Sequence, residues 1–359
     1  GKKRPFANSM THYLQGTTVK DLRLILYMVV PLLLLAACTP RAMTEADCTA
    51  DQRLFDHEAL ATGAVCVPKN PQRVAFIDEI IGVAPVLDVN SVSRSTYGNL
   101  FYTDFPYAFD ESDFETMVDI GHPRSPNSEV LLQVEPDVIM SGSNWRRANR
   151  LMDDIAPMVI WDWEYTTDWT VYLRAMGEVL NRSEEAEQAI AEMEQRMAML
   201  QEHIGETDET YVVVRTTDEN DSIQVFTTFN FGAEHVANLG LTMPDDILTP
   251  EEAADENNAW WYSLSIEKLQ YLDADHIFLL SGWEPDIQAE FLANPLWQTL
   301  GAVQNGRVHF IEGEYWVRTH PVSSHRIIDD IFVYVASVDP TEVAPNPYAW
   351  TYQEGMERP

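Results

Sequence analysis

Short apolar runs recur along most of the chain, separated by segments in which apolar residues return every three or four positions. The runs lie at residues 73–77, 86–89, 117–120, 138–140 and 158–161, and again at 211–215, 223–226, 276–280 and 307–311. Helical spacing predicts helices at 128–134, 146–154, 233–239, 264–269, 286–300 and 322–335. Such alternation is typical of α/β proteins, whose mainly parallel strands are buried beneath helices.

Residues 170–204 differ because helical spacing continues there without strand-like alternation. Tyr172, Met176, Ile190 and Met197 belong to one apolar face, and glutamate and glutamine fill the other. Asn181-Arg182-Ser183 interrupts this segment, and Ser183, followed by two glutamates, fits a fresh N-cap. We therefore predict one long helical rod joining two α/β lobes, which face each other across a cleft.

The N-terminus has the pattern of an export signal. Lys20 and Arg23 precede an apolar run at 24–37 that is too short to span a bilayer comfortably. The run ends in Leu-Ala-Ala before Cys38 and resembles a bacterial lipobox, in which a free thiol accepts a diacylglyceryl group. A buried core cysteine is the weaker alternative, because the segment has no polar face. Cys38 is therefore the predicted lipidation site.

These patterns divide the chain into six segments. They are a lipoprotein signal peptide at 1–37, an anchor linker at 38–70, an N-terminal lobe at 71–165, an inter-lobe helix at 166–205, a C-terminal lobe at 206–338 and an irregular tail at 339–359. Polar stretches predict loops at 91–99 and 245–258. The tail contains several prolines and has no clear period.

Two further cysteines, Cys48 and Cys66, lie in the anchor linker. In an oxidising compartment two nearby cysteines favour a disulfide, and closing so short a loop contributes about 3 kcal/mol in the chain-entropy model. A metal-binding pair is the alternative, but no histidines with ligand spacing accompany the two cysteines. The disulfide is the better prediction.

The composition is strongly acidic. The formal net charge is −34, from 57 acidic and 23 basic residues. Removal of residues 1–37 takes away five basic residues and one acidic residue, which leaves 18 basic residues, 56 acidic residues and a net charge of −38. Nucleic acid is excluded as a partner, because its phosphates would be repelled. The same charge also suits a soluble surface in salty surroundings.

Three stretches carry a resemblance to a known family. Residues 119–140 read DIGHPRSPNSEVLLQVEPDVIM, residues 264–280 read LSIEKLQYLDADHIFLL, and NPLW at 294–297 is followed by GRVHF at 306–310. In this order, behind a lipobox, they resemble the siderophore and vitamin B12 class of periplasmic substrate-binding proteins of ABC importers. The likeness covers roughly residues 71–336. It implies two lobes bridged by one long helix, with modest closure and the ligand between the lobes.

The resemblance also implies contacts with the importer. One glutamate at the tip of each lobe docks against arginines of the permease, which works with its ATPase subunits. By motif position these are Glu129 and Glu267. Both lie in the first turn of a predicted helix, where the positive helix end favours acids, so plain dipole compensation at the surface is the alternative.

Loops at strand ends are where open α/β sheets bind ligands. Arginines and aromatic residues collect at these positions although basic residues are scarce. Guanidinium groups pair with anionic oxygens, and indoles pack on flat ligand faces, although each aromatic could equally serve lobe packing. The predicted ligand-binding residues are Arg94, Tyr97, Trp145, Arg146, Arg215, Trp261, Trp283, Tyr315, Trp316 and Arg318.

An enzyme is not expected, because the chain has no nucleophile elbow, phosphate loop, dinucleotide fingerprint or zinc-protease helix. His320 and His325 could touch a metal or haem, but the nine histidines are scattered in sequence. We predict a lipid-anchored receptor of the cell envelope, in the periplasm or on the outer face of the cytoplasmic membrane. Its ligand is a ferric siderophore, with iron only as part of that ligand and no other cofactor or metal. A haem or cobalamin receptor of the same fold and, from another class, an unrecognised hydrolase are the alternatives.

Overall fold

The computed structural model describes residues 43–96, 116–143, 152, 154–163, 165, 168–217, 221–256, 258–281, 285–317 and 320–348. Residues 45–359 form one compact unit, to which every element below belongs. Residues 1–44 form a second unit, of which Met43 and Thr44 are described. The predicted signal peptide and Cys38 therefore lie outside the described residues.

The N-terminal lobe begins with a hairpin and continues as a parallel sheet. The antiparallel hairpin consists of β1 (Gln52–Phe55) and β2 (Val65–Pro68). The sheet strands are β3 (Val74–Phe76), β4 (Ser91–Arg94), β5 (Val118–Asp119), β6 (Val138–Gly142) and β7 (Met158–Trp161). They lie in the order β5-β4-β3-β6-β7, and all neighbours are parallel. The helical elements of this lobe are the 3-10 helices Glu45–Asp47 and Glu79–Val83 and α1 (Ser128–Gln133).

Two helices, α2 (Trp169–Leu180) and α3 (Ser183–Ile204), connect the lobes in sequence. Arg174 Nε lies 2.8 Å from Glu187 Oε1, although thirteen residues of straight helix would span about 20 Å. The predicted interruption at residues 181–183 is confirmed, but the two helices pack against each other, so the single rod predicted over residues 170–204 is wrong. Asn181 ends α2 with φ 55°, the chain turns, and Arg182 rather than Ser183 becomes the N-cap of α3. With 22 residues and a length of about 33 Å, α3 is the one long helix between the lobes.

The C-terminal lobe contains the second five-stranded sheet. Its strands are β8 (Tyr211–Thr216), β9 (Ser222–Phe226), β10 (Trp261–Ser265), β11 (His276–Ser281) and β12 (Val308–Glu312). In the order β10-β9-β8-β11-β12, the last three strands are parallel and β9 is antiparallel to both of its neighbours. The α-helices are α4 (Phe231–Ala237), α5 (Pro250–Glu256), α6 (Pro285–Leu292), α7 (Gly301–Gln304), α8 (Gly313–Trp316), α9 (Pro321–Tyr334) and α10 (Pro340–Val343), and the 3-10 helices are Ile266–Leu272 and Trp297–Thr299. Two α/β lobes with mainly parallel sheets, joined by one long helix, are thus confirmed.

A shared core and a second contact connect the lobes. Phe76 of β3, Ile190 of α3 and Phe278 of β11 belong to the same cluster of buried side chains. In addition, His320, at the start of α9, packs on Gly82 of the 3-10 helix Glu79–Val83. A Cβ atom on Gly82 would lie 2.6 Å from the His320 ring, so this approach requires glycine. The lobes are therefore held by α3 and by the contact between Gly82 and His320.

The C-terminal part of α3 is fixed by a buried arginine. Arg196 is 4 % exposed, forms an ion pair with Asp329 of α9, and donates to the backbone oxygens of His325 and Ala344, each at 3.0 Å. Burial lowers the pKa of Arg196, and the nearby Asp329 opposes that effect. Ala344 follows α10, so the segment predicted as an irregular tail contains a helical turn and packs against α3 and α9.

In the N-terminal lobe, the predicted strand at 86–89 and the predicted loop at 91–99 are reversed in the structure. Residues 86–89 do not form a strand: residues 86–88 lie in a turn, and Val86 and Leu87 are nevertheless buried in the core. The strand is β4, inside the predicted polar loop 91–99. Its serines suit a buried strand because their hydroxyls find backbone acceptors: Ser93 Oγ donates to the Phe76 oxygen at 3.3 Å. The prediction failed because buried, satisfied serines look like loop residues in sequence.

The predicted loop 245–258 contains α5. The missed signal is a capping box: Glu252 N donates to Thr249 Oγ1 at 3.3 Å, and Thr249 N donates to Glu252 Oε2 at 2.9 Å. The strand β10 was also missed, since Trp261 was assigned to a loop. Ser265 ends β10 and caps the following 3-10 helix.

Candidate functional site

The carboxyl ends of the parallel strands gather polar and aromatic residues in the N-terminal lobe. Asp78 follows β3, Ser95 follows β4, Gly142 ends β6 and Trp163 follows β7. Because these strands are parallel neighbours, the four positions share one edge of the sheet. Open α/β sheets bind ligands at this edge. Asp78 and Trp163 were not among the predicted site residues, although each is a polar or aromatic residue just after an apolar strand.

Arg94, the predicted basic residue at this edge, is already paired. Its NH1 atom lies 3.5 Å from Asp119 Oδ2, on the neighbouring strand β5, and donates to Thr96 Oγ1 at 3.1 Å. Thr96 Oγ1 in turn donates to the same carboxylate at 2.7 Å. The Arg94 side chain is 21 % exposed. Asp119 therefore offsets much of the positive charge that Arg94 brings to the edge.

In the C-terminal lobe the structure brings Arg215 and Trp261 to one face of the sheet. The Arg215 guanidinium lies 5.7 Å from the centre of the Phe226 ring, on the adjacent strand β9. Trp261 begins β10 and pairs in register with Phe226. Arg215 and Trp261 are both half-buried. They combine a cation, an apolar platform and remaining accessible surface, as a site for an anionic ligand with flat faces requires.

Tyr315 and Trp316 are placed differently. Trp316 is fully buried, stacks on Phe278 with ring centres 4.8 Å apart, and donates from Nε1 to Asp330 Oδ2 at 2.9 Å. Tyr315 is 6 % exposed and lies beneath the Arg326 guanidinium, 5.8 Å from its ring centre. Both residues pack within the lobe because α8 lies against β11 and α9. Neither one presents an open ring to the strand-end edge.

Five predicted ligand-binding residues lie outside the described residues. They are Tyr97, Trp145, Arg146, Trp283 and Arg318. Of the ten candidates, the described residues thus place Arg215 and Trp261 together, Arg94 on the other lobe, and Tyr315 and Trp316 in the packed interior.

The two predicted docking glutamates have the same local geometry in different lobes. Asn127 caps α1 and accepts from the Glu129 backbone N at 3.1 Å. Ser265 caps the 3-10 helix Ile266–Leu272 and accepts from the Glu267 backbone N at 3.4 Å. Both glutamate side chains are exposed. Each glutamate is therefore the second residue of a capped helix and is accessible to a partner.

In each lobe, an aspartate just before an inner strand accepts hydrogen bonds from residues just before the neighbouring strand. We call this contact a clasp. Asp137, before β6, accepts from the backbone N atoms of Gln72 and Arg73 at 2.7 and 3.1 Å. Asp275, before β11, accepts from Thr210 N at 2.8 Å and Thr210 Oγ1 at 2.9 Å. The Thr210 backbone N–H lowers the pKa of Asp275. The clasps lie at the amino ends of the strands, opposite the candidate ligand edge, and are structural.

Buried histidines concentrate in the C-terminal lobe: His235, His276, His309, His320 and His325. His276 Nδ1 lies 2.9 Å from His309 Nε2, and His276 Nε2 lies 3.3 Å from Glu209 Oε2. Burial, with smaller contributions from the nearby His276 and Arg307, lowers the pKa of His309 to about 4. Burial likewise lowers the pKa of His325 to about 3. Among the described residues, no group of three or more His, Cys, Asp or Glu side chains could hold a metal ion.

The predicted disulfide is confirmed. Cys48 and Cys66 are bonded, with Cα atoms 5.4 Å apart, and the bond joins the segment before β1 to β2. Within the described ranges, none of the helices combines the length and apolar composition needed to cross a membrane.

The geometry defines a class: a two-lobed α/β protein with mainly parallel sheets and one long connecting helix. The sequence profile of the periplasmic binding protein family matches residues 88–315. The chain belongs to this family, which confirms the resemblance inferred from the three motifs. Membership in a family of substrate-binding transport proteins is consistent with the expectation that the chain is not an enzyme.

Two relatives from Bacillus subtilis (strain 168) show how far the similarity extends. The Fe(3+)-citrate-binding protein YfmC is 26% identical over 285 residues, which cover 76% of this chain and 82% of the relative. The probable siderophore-binding lipoprotein YfiY is 21% identical over 336 residues, covering 88% of this chain and 98% of the relative. The similarity to each of them is therefore not confined to one lobe.

Solved structures share the fold. The triscatecholate siderophore binding protein FeuA from Bacillus subtilis, complexed with ferri-bacillibactin, matches with a TM-score of 0.65 at 18% identity, covering 80% of this chain and 99% of that one. Staphylococcus aureus SirA complexed with staphyloferrin B matches with a TM-score of 0.64 at 21% identity, covering 76% and 96%. At such identities the likeness establishes the architecture alone.

Proposed function

We propose that this protein captures a ferric siderophore between its two lobes and delivers it to the permease of an ABC importer. The family match carries the proposal, together with relatives named for ferric citrate and siderophores. Arg215 near the carboxyl end of β8, Trp261 on the same face of that sheet and Trp163 at the carboxyl edge of the other sheet supply the cation and the aromatic surface that such ligands need. Cys38 anchors the protein by lipid to the cell envelope.

The ligand is an anionic complex of the carboxylate, catecholate or mixed type. Arg215 lies in a lobe that has many more acidic than basic residues. Close pairing of a half-buried cation with an anion outweighs the screened repulsion from distant surface charges. The net charge of −38 after removal of residues 1–37 repels a free anion at long range. Association is therefore expected to quicken as salt rises toward physiological strength.

Tryptophan fluorescence tests the proposal, because the chain contains ten tryptophans. The protein is titrated with ferric citrate, ferric enterobactin, ferrichrome, haem and cobalamin. Saturable quenching is expected with one of the first two complexes. Preference for haem or cobalamin would replace the siderophore with another ligand of the same fold, and turnover of a candidate substrate would favour an enzyme.

The role of Arg215 is tested with the preferred complex. Arg215→Ala is expected to cost about 1.5–3 kcal/mol of binding, the range for a charge-assisted hydrogen bond. Arg307→Ala is the matched control, because Arg307 lies before β12, at the opposite end of the same sheet, where it pairs with Glu209 at 2.7 Å. Equal affinities for the wild type and Arg215→Ala, with ferrichrome bound best, would contradict an anionic ligand.

Docking is tested separately from binding. Glu129→Ala and Glu267→Ala are expected to lower uptake by cells while leaving ligand affinity nearly unchanged, since both side chains are exposed on capped helices and neither is expected inside the cleft. Glu184→Ala, an exposed first-turn glutamate of α3, is the control. Normal uptake with both glutamates replaced would refute docking. Membrane retention of Cys38→Ser, without an uncleaved signal, would refute the lipid anchor.

A further inference from the structure

We propose that Asp78 is a positioning residue that fixes the N-terminal half of the ligand site, an inference that rests on the proposed function. Asp78 is 2 % exposed and immediately precedes the 3-10 helix Glu79–Val83. Asp78 Oδ1 accepts from Ile80 N at 3.0 Å, and Oδ2 accepts from Gly142 N at 3.3 Å. Its own backbone N donates to Ser95 Oγ at 3.3 Å. One residue thus ties together the carboxyl ends of β3, β4 and β6.

The backbone of Asp78 is strained. Its φ of 77° and ψ of −163° fall in a region that glycine occupies readily and other residues rarely. Burying a carboxylate adds a desolvation penalty, which the hydrogen bonds from Ile80 and Gly142 offset. Strained residues that persist in this way cluster at ligand sites, where the surrounding structure holds them in one conformation. The strain at Asp78 therefore points to function at this edge.

Asp78 also bears on Trp163, the half-buried aromatic residue at this edge. A Cβ atom on Gly142 would lie 2.2 Å from Trp163 Nε1 and 3.1 Å from Asp78 Oδ2, so the indole and the carboxylate both approach Gly142 closely. Tyr172 of α2 contacts the same indole, with ring centres 4.8 Å apart. By holding Gly142 N, Asp78 fixes the strand end against which Trp163 packs.

Asp78 affects ligand affinity through its position rather than by touching the ligand. As the N-cap of the 3-10 helix Glu79–Val83, it sets the start of the element whose Gly82 packs on His320 of the other lobe. The edge that receives the ligand and the point where the lobes meet are therefore only four residues apart in sequence. Asp78 aligns both of them.

The experiment separates binding from stability. Glycine adopts the backbone conformation of residue 78 without strain, so relief of strain offsets the lost hydrogen bonds in Asp78→Gly. We expect its urea midpoint to stay close to that of the wild type while its affinity for the preferred complex, ferric citrate or ferric enterobactin, falls at least tenfold. Asp78→Asn keeps one acceptor oxygen and is expected to recover part of the affinity.

Asp88→Gly is the matched control. Asp88 is a second non-glycine residue with positive φ, at 49°, in the same lobe. It is exposed and lies before the amino end of β4, away from the carboxyl ends that form the candidate ligand edge. Its replacement is expected to leave affinity unchanged. If the wild type binds a complex and Asp78→Gly binds it with the same affinity, the inference about Asp78 is overturned and the proposed function stands. Failure of both Asp78 variants to fold would show a folding role and overturn it too, whereas a wild type that binds none of the complexes overturns the proposed function with it.

Discussion

The two lobes are alike at one end of their sheets and different at the other. At the amino ends, Asp137 and Asp275 clasp the neighbouring strand in the same way. At the carboxyl ends, the N-terminal lobe has a buried carboxylate, Asp78, whereas the C-terminal lobe has Arg215 stacked over an aromatic ring. The repeated features belong to the architecture. The features that differ belong to the proposed recognition of the ligand, so a ligand meets two chemically distinct surfaces.

The largest expected effect concerns how α3 is held in each lobe. Replacement of Arg196 by alanine leaves the Asp329 carboxylate buried without its partner and is expected to cost about 3–5 kcal/mol of unfolding free energy. Arg182, at the other end of α3, makes partly exposed contacts with Glu185 and the Asp88 carbonyl, so Arg182→Ala is expected to change stability by about 0.5 kcal/mol or less. Urea denaturation measures both. Equal costs would show that the two ends of α3 are held alike.

The second difference between the lobes is the disulfide. All three cysteines of the chain precede the C-terminal lobe, so only the N-terminal lobe is stabilised in this way. Replacing Cys48 and Cys66 together by serine opens a loop with a sequence separation of 18 residues and is expected to cost about 3 kcal/mol. Wild-type protein unfolded under reducing conditions should match the double variant. A stability unchanged by reduction would mean that the hairpin does not contribute to the cooperative unit.

The buried histidines make the C-terminal lobe the pH-sensitive one. The pKa of His309 is lowered to about 4 in the folded state, so between pH 6.5 and 4 the unfolded chain binds a proton that the folded chain does not. Stability therefore falls as pH falls through this window, with a contribution from His309 of about 3 kcal/mol. In His309→Gln the slope of stability against pH should be shallower. Identical slopes in the wild type and His309→Gln would contradict this assignment.

The smallest expected effect tests the equivalence of the clasps. Asp137→Ala and Asp275→Ala each remove a carboxylate that accepts two hydrogen bonds, at an expected cost of about 1–2 kcal/mol. Thermal or urea denaturation should give similar values for the two variants, with ligand affinity unaltered. A loss of affinity in either variant would place that clasp in the binding site rather than in the architecture.

Much of the fold was predictable because it depends on apolar periodicity. Runs such as residues 158–161 and 276–280 lie in buried strands, as their composition requires. The rod failed for a local reason: Asn181 adopts a left-handed conformation that redirects the chain, while the apolar spacing continues on both sides of it. Periodicity records which face is buried, but it does not record the direction of the helix axis.

The candidate site was less predictable, because the same residue type serves packing and binding. Trp316 and Trp261 look equivalent in sequence, yet Trp316 finds a buried acceptor in Asp330 and Trp261 stays half-buried on an edge strand. Arg94 looked like a ligand cation, but the parallel pairing of β4 with β5 places Asp119 beside it. Asp78 left a signal, a polar residue directly after a buried strand, whose meaning depends on backbone strain that sequence does not show.

The contact between Gly82 and His320 has a mechanical consequence. The shared core, α3 and the Gly82–His320 contact all span the lobes, so a relative movement that keeps every contact must preserve all three. We therefore expect only small relative displacements of the lobes while these contacts persist. A wide separation of the lobes requires the His320 ring to leave Gly82.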